Sequence, residues 1–188
     1  MDDHINQIFL AEVVSQAESA FLSIGEMNNA IQTPGNGNRQ FFRAAHYFLI
    51  HTAAISRILW SDSKNKEVKK RTAQLRKLLG LPEEHVLRSR RLRNHIEHYD
   101  ERIDDWIRSS RNHNIVVDMI GPRNAVGGDG IQDQDIFRSY DPSSKCFYFR
   151  GELFDIQEIA NGISDVHRRA ASALQDIWQK RFEVPKNT

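Results

Sequence analysis

The sequence predicts an all-α fold: an antiparallel four- to five-helix bundle with a small β-hairpin inserted before the last helix. Three observations predict it. Apolar residues recur at three- and four-residue steps over most of the chain, strong breakers separate those runs, and one late stretch switches to short β-rich segments. At 188 residues the chain fits one domain, 1–188, in which 114–153 form the inserted hairpin and loop. Three Trp, ten Phe and four Tyr supply enough bulk for a core and exclude a disordered chain.

Ile5, Ile8, Phe9, Val13, Ala17, Ala20, Phe21, Ile24, Met27 and Ile31 predict a long first helix that stops at the breaker run Thr33-Pro34-Gly35-Asn36-Gly37-Asn38. A second helix is predicted from about Arg39 to Trp60, with Phe41, Phe42, Ala45, Phe48, Leu49, Ile55 and Leu59 as its buried side. Ser61-Asp62-Ser63 predicts a turn and cap before a short basic helix that Gly80 ends. Pro82 followed by Glu83 and Glu84 favours a new start, so one helix is predicted from Pro82 to about Ser110. Residues 114–120 and 145–150 read as strands on either side of a loop around Gly127-Gly128-Asp129-Gly130. A last helix is predicted from about Asp155 to Phe182.

The formal net charge is only +1, but its distribution is uneven. Residues 1–38 carry a net of −5 and residues 64–93 a net of +8. Such a basic block suits phosphate contacts, or is simply a solvated face. The single cysteine, Cys146, excludes an internal disulfide framework and a cysteine-based zinc site. The first residues, MDDHINQIFL, lack the basic start of a signal peptide, and no stretch reads as a membrane span. A cytoplasmic protein with no membrane partner is the expectation.

Residues 88–106 are the segment that carries chemistry. Leu92, Ile96, Tyr99, Ile103 and Trp106 form its apolar stripe, Arg93 and Glu97 lie on one flank, and Asn94 and His98 stack one turn apart. An Asn so placed can hydrogen-bond the His and orient it. Arg88, Arg90 and Arg91, with Lys64, Lys66, Lys69 and Lys70 before them, suit phosphate contacts. From the residues alone three readings stay open: an intrahelical polar network, a nucleotide- or RNA-binding face, and a metal site at His95 and His98 with Glu97, Asp100 or Glu101. His46 and His51 on the second helix are further candidates to approach the motif. No Walker, dinucleotide or nucleophile-elbow pattern is present.

Arg93-Asn94-His95-Ile96-Glu97-His98, with the preceding Leu92 and the following Asp100-Glu101-Arg102, resembles the Arg-x4-His motif of the HEPN superfamily (higher eukaryotes and prokaryotes nucleotide-binding). The resemblance implies a helical bundle acting as a homodimer. It implies metal-independent RNA cleavage in which a ribose 2′-hydroxyl attacks the adjoining phosphodiester. No cofactor and no metal are then expected. The catalytic residues implied are Arg93 on the phosphate, His98 as proton carrier and Asn94 either positioning His98 or contacting the phosphate, with Arg88, Arg90 and Arg91 binding RNA. A toxin or anti-phage role, with an antitoxin or regulatory protein as partner, follows from the resemblance alone. The alternative is a catalytically silent module of the same kind that binds RNA, nucleotide or a protein.

Two departures stand out. In the antitoxin-regulated branch of that family a tyrosine stands two residues after the histidine, whereas here Tyr99 follows His98 directly and Asp100 takes the family position. Glu97 is placed to pair with Arg93 one turn back and neutralise it. Residues five apart also lie about 140° apart round an ideal helix, so a shared site for Arg93 and His98 requires helix distortion or a second copy.

Overall fold

Small side chains on the first helix set how closely the second can approach. In α1 (Asp3–Ile31) the buried positions are Leu10, Val13, Ala17, Ala20, Ser23, Met27 and Ala30, and most of them are small. They let α2 (Gly37–Leu59) pack along α1, adding Phe41, Ala44, Ala45 and Phe48 to the same core. Gly37 is needed at the crossing, because a Cβ there would lie 2.4 Å from the Ala30 carbonyl oxygen. The helix therefore begins two residues before Arg39. In this computed structural model the described residues are 3–182 except 34, 36, 90 and 127–129, and the side chains at 92, 93, 96, 181 and 182 lie outside the description too.

Contrary to the sequence expectation, α1 is long and apolar enough to cross a membrane. Its apolar stripe is instead packed against α2 and α6 (Ile156–Phe182), the use a core helix makes of such a sequence.

The basic helix α3 (Lys66–Leu79) ends at Gly80 as its sequence predicts, with φ +61° and its N–H on the carbonyls of Arg76 and Lys77. Its cap differs. Asn65, not a residue of Ser61–Ser63, accepts the Glu67 N–H at 2.8 Å. The two serines tie down the preceding turn, Ser61 accepting from the Ser63 N–H and Ser63 from the Asn65 N–H.

The single helix predicted from Pro82 to Ser110 is broken into three pieces. A 3-10 turn covers Val86–Arg88, α4 runs Arg91–Glu97 and α5 runs Tyr99–Ser109. The cause is anchoring of the first piece. His85 accepts the Leu87 N–H on Nδ1 and stacks on Trp60 with ring centres 5.0 Å apart. Val86 presses so closely on α6 that a Cβ on Gly162 would sit 2.4 Å from Val86 Cγ1. A chain pinned at both points follows α6 instead of winding on as one helix.

The predicted hairpin is part of a larger sheet. Four strands, β1 (Met119–Ile120), β2 (Ser139–Asp141), β3 (Cys146–Phe149) and β4 (Glu152–Asp155), lie in that order. The β1–β2 pair is parallel and the other two pairs are antiparallel. The fold is thus mainly helical with a mixed sheet. Val116, predicted within a strand, makes only an isolated bridge to Ile136, and Gly127, Gly128 and Asp129 of the predicted loop lie outside the described residues. Arg150 and Gly151 turn β3 into β4 with φ +48° and +82°, the signs a two-residue type I′ turn requires. One sheet face turns Tyr140, Phe147, Phe149 and Phe154 towards the helices, where Phe41 meets Tyr140 at 4.5 Å and His95 meets Phe149 at 4.7 Å.

Asp135 pins the far end of α5 to the sheet. It is buried and accepts hydrogen bonds from Trp106 Nε1 (2.9 Å), Ser110 Oγ (2.8 Å) and the Gln132 N–H (2.8 Å). Burial pushes its carboxyl up, but the bonds from Gln132, Ser110 and Trp106 outweigh that and hold it below the usual range. A depressed native pKa gives stability that is present above the unfolded value of about 3.9 and lost as pH falls through the native value. Asp135→Asn therefore costs about 2–3 kcal/mol at pH 7 through unpaired buried donors. Urea melts will show the gap between wild type and variant narrowing from pH 7 to pH 3.

Candidate active site

The chain departs from helical geometry at one residue of the motif. His98, between α4 and α5, has φ −113° and ψ +40°, although the His98 N–H still reaches the Asn94 carbonyl and the Arg102 N–H the His98 carbonyl. Its side chain is 49% exposed, and Nδ1 lies 3.0 Å from Glu101 Oε1. An ionised carboxylate only accepts, so Nδ1 carries the proton of the neutral ring and Nε2 keeps its lone pair. Glu101, not Asn94, thus orients this imidazole, and Asn94 is exposed.

His95 is placed for a different role. Its side chain is only 12% exposed, it stacks on Phe149, and Nε2 lies 3.0 Å from Glu152 Oε1 of β4. Burial is the largest influence on it and lowers its pKa, against the raising effect of Glu152. His95 and His98 turn to different carboxylates. Among the described residues no group of three or more His, Cys, Asp or Glu is arranged to hold a metal ion. Tyr99 packs edge-on to Phe137 and Phe149, and its phenol is pushed up by burial.

Three arginines of this region are paired. Arg57 of α2 bonds Glu97, so the carboxylate inside the motif is engaged across the helix interface. Arg88 bonds Glu84, and Arg91 lies 2.7 Å from Glu152. Arg90 and the Arg93 side chain lie outside the described residues, the Arg93 backbone being within α4. Arg88 and Arg91 stand on the wall of a cleft of about 500 Å³ between α2, the 84–91 segment, β4 and the start of α6. Arg88 also borders a second recess with Lys69, Arg76 and Glu83, in which Arg76 is largely buried and lies 2.9 Å from Glu83. Lys66, Lys69 and Lys70 are exposed on α3, and Lys64 on the turn before it.

Two residues of this region escape a reading of the sequence. Arg57 and Glu152 reach it through contacts forty and fifty-seven residues away along the chain, which no local pattern announces. Glu101 was legible, since the spacing of three from His98 puts both on one helix face.

The two histidines should separate by stability. His98→Ala removes an exposed ring and changes unfolding free energy by less than about 1 kcal/mol, whereas His95→Ala strips the Phe149 stack and the Glu152 bond and costs about 2–3 kcal/mol. A lowered native pKa also means that the unfolded chain takes up its proton first. Stability conferred by a neutral His95 therefore falls as pH drops below about 6.5, and His95→Gln removes that part of the decline. Chemical denaturation at pH 7.5 and 5.5 measures both effects.

No model of a known protein family matches the chain, and no curated protein or solved structure matches it either.

Proposed function

We propose that this chain is a cytoplasmic, metal-independent endoribonuclease of the HEPN type that works as a homodimer. The observation that carries the reading is His98. It is a half-exposed imidazole whose Nδ1 is committed to Glu101 while Nε2 keeps its lone pair, at the junction of two helices and downstream of the basic helix α3. Such a group takes the proton from a ribose 2′-hydroxyl as the oxygen attacks phosphorus. The reaction leaves a 2′,3′-cyclic phosphate and needs a second proton carrier for the departing 5′-oxygen. The same histidine of a second copy fills that role, and Arg93 stabilises the charge that develops on the phosphate oxygens. Arg88, Arg90 and Arg91 hold neighbouring phosphates. A toxin or defence role restrained by a protein partner completes this reading.

A silent RNA-binding module is the second reading. It is favoured by the carboxylates opposite Arg57, Arg88 and Arg91, which already neutralise the cations a cleavage site would use.

Labelled single-stranded RNA incubated in excess EDTA separates the two. The expected result is cleavage by wild type with cyclic-phosphate ends, and loss of at least 100-fold in rate for Arg93→Ala and His98→Ala at unchanged fold and oligomeric state. Binding without cleavage by all three proteins selects the silent module. Activity abolished by chelation overturns the metal-independent mechanism.

A further inference from the structure

A second hollow lies between α2 and the sheet, separated from the large cleft by Leu49, which lines both. Its volume is about 220 Å³. That is below the roughly 300 Å³ at which pockets for drug-sized molecules begin, so it admits one ring system and not a whole nucleotide. Its walls are aromatic: Phe42 of α2, Phe147 and Phe149 of β3, and Tyr99 at the start of α5.

Two polar groups complete it. His46 stands one turn from Phe42 on α2, and it is exposed at the rim. Arg138 is fixed by Asp118, with Nε 2.7 Å from Oδ1 and a terminal nitrogen donating to Oδ2 at 3.1 Å, and its guanidinium lies 5.4 Å from the centre of the Tyr99 ring. Asp118 holds this position with φ +58°, a left-handed conformation uncommon outside glycine. The Asp118 pair uses one side of the guanidinium, and among the described residues no hydrogen bond occupies its other terminal nitrogen. Desolvation of the part of the ring that faces the hollow, with the nearby Arg138 charge, lowers the His46 pKa and so favours the uncharged imidazole.

Aromatic walls, a spare guanidinium edge and a neutral imidazole together suit a flat heterocycle with acceptors on its rim. We infer that this hollow receives a single unstacked nucleobase of an RNA strand. It shares walls with the motif: Phe149 carries His95 stacked at 4.7 Å and Tyr99 edge-on at 5.9 Å, and Tyr99 directly follows His98. On the reading above as a ribonuclease, the base taken up here sets where His98 acts along the strand. The inference rests on that reading for its role in cleavage, but not for binding.

The test uses the full chain and RNA hexamers with 2′-fluoro riboses, which bind but lack the attacking hydroxyl. Binding is followed by fluorescence of one 2-aminopurine, an adenine analogue that brightens when it leaves the base stack. Two variants alter the hollow: His46→Trp fills its mouth from an exposed position, and Arg138→Gln removes the guanidinium. The expected result is brightening on wild type and at least a tenfold weaker affinity for His46→Trp, at an unchanged melting temperature. Arg138→Gln, which also frees Asp118, is scored by affinity at a temperature where circular dichroism shows it folded, and a three- to tenfold loss is expected. No brightening with wild type, or equal affinities for all three proteins, overturns the base site. Cleavable RNA keeps the two ideas apart. Cleavage by wild type with the same product pattern for His46→Trp sinks the base site and leaves the nuclease standing. Base binding with no cleavage by any form does the reverse.

Discussion

Helices of seven and eleven residues do not hold their shape alone in water, since isolated helices shorter than about 12–15 residues are marginal. The segment that carries His98 consists of two such helices, so its geometry is imposed by what it packs on. That support is an aromatic cluster centred on Phe137 and Phe149, both essentially without solvent contact. His95 and Tyr99 lie on Phe149, Tyr99 and Trp106 on Phe137, and the two phenylalanines lie 5.7 Å apart. Burial of each phenylalanine is worth about 1.5–3 kcal/mol, several times any single polar contact at the surface. The inserted sheet is therefore the platform of the motif. Asp135 fixes its orientation by holding Trp106 and Ser110 at the other end of α5.

This dependence explains how neighbouring histidines acquire different chemistry. His95 is on the platform side, where burial favours the neutral ring and Glu152 accepts a hydrogen bond from its Nε2–H. His98 comes three residues later, where the helix has lost its regular geometry, and its ring reaches solvent with Glu101 beside it. Side chains three apart on one regular helix are close neighbours on the same face. The turn at His98 frees that ring from the environment of His95, and a straight helix from Pro82 to Ser110 would not have done so.

What was legible in the sequence follows from the range of the interactions. The long helices α1, α2 and α6 rest on periodic burial, and Gly80 ends α3 through its own left-handed backbone, so local pattern suffices for both. The strands β2 and β4 were not legible. Ser139-Tyr140-Asp141 is wholly buried yet mostly polar, and Glu152-Leu153-Phe154-Asp155 is flanked by acids, so neither shows the apolar signal of a strand. Arg150 at the hairpin turn hides it further, because the residue usually found there is Asn, Asp or Gly. The break at residues 82–90 depends on Trp60 and Gly162, which are distant in sequence. In the site, His98 and its neighbour Glu101 were legible from spacing, but Arg57 beside Glu97 and Glu152 beside His95 were not.

The carboxylates that face the arginines bear on whether a polyanion can bind here at all. Arg57, Arg88 and Arg91 each have a glutamate partner, and the side chains of all three arginines are 43–72% exposed. Ion pairs so open to water contribute about 0–1 kcal/mol each, because solvent screens them and ordering two long side chains costs entropy. A phosphate offers a guanidinium a charged, bidentate partner and releases counterions as it binds. Exchanging one partner for the other is then close to neutral for each pair and favourable once several phosphates engage together. Each pair leaves its arginine at the surface, open to such an exchange. On the ribonuclease reading proposed above, the larger cost for an RNA strand is the unstacking of one base, which stacking in the hollow beside Tyr99 would have to repay.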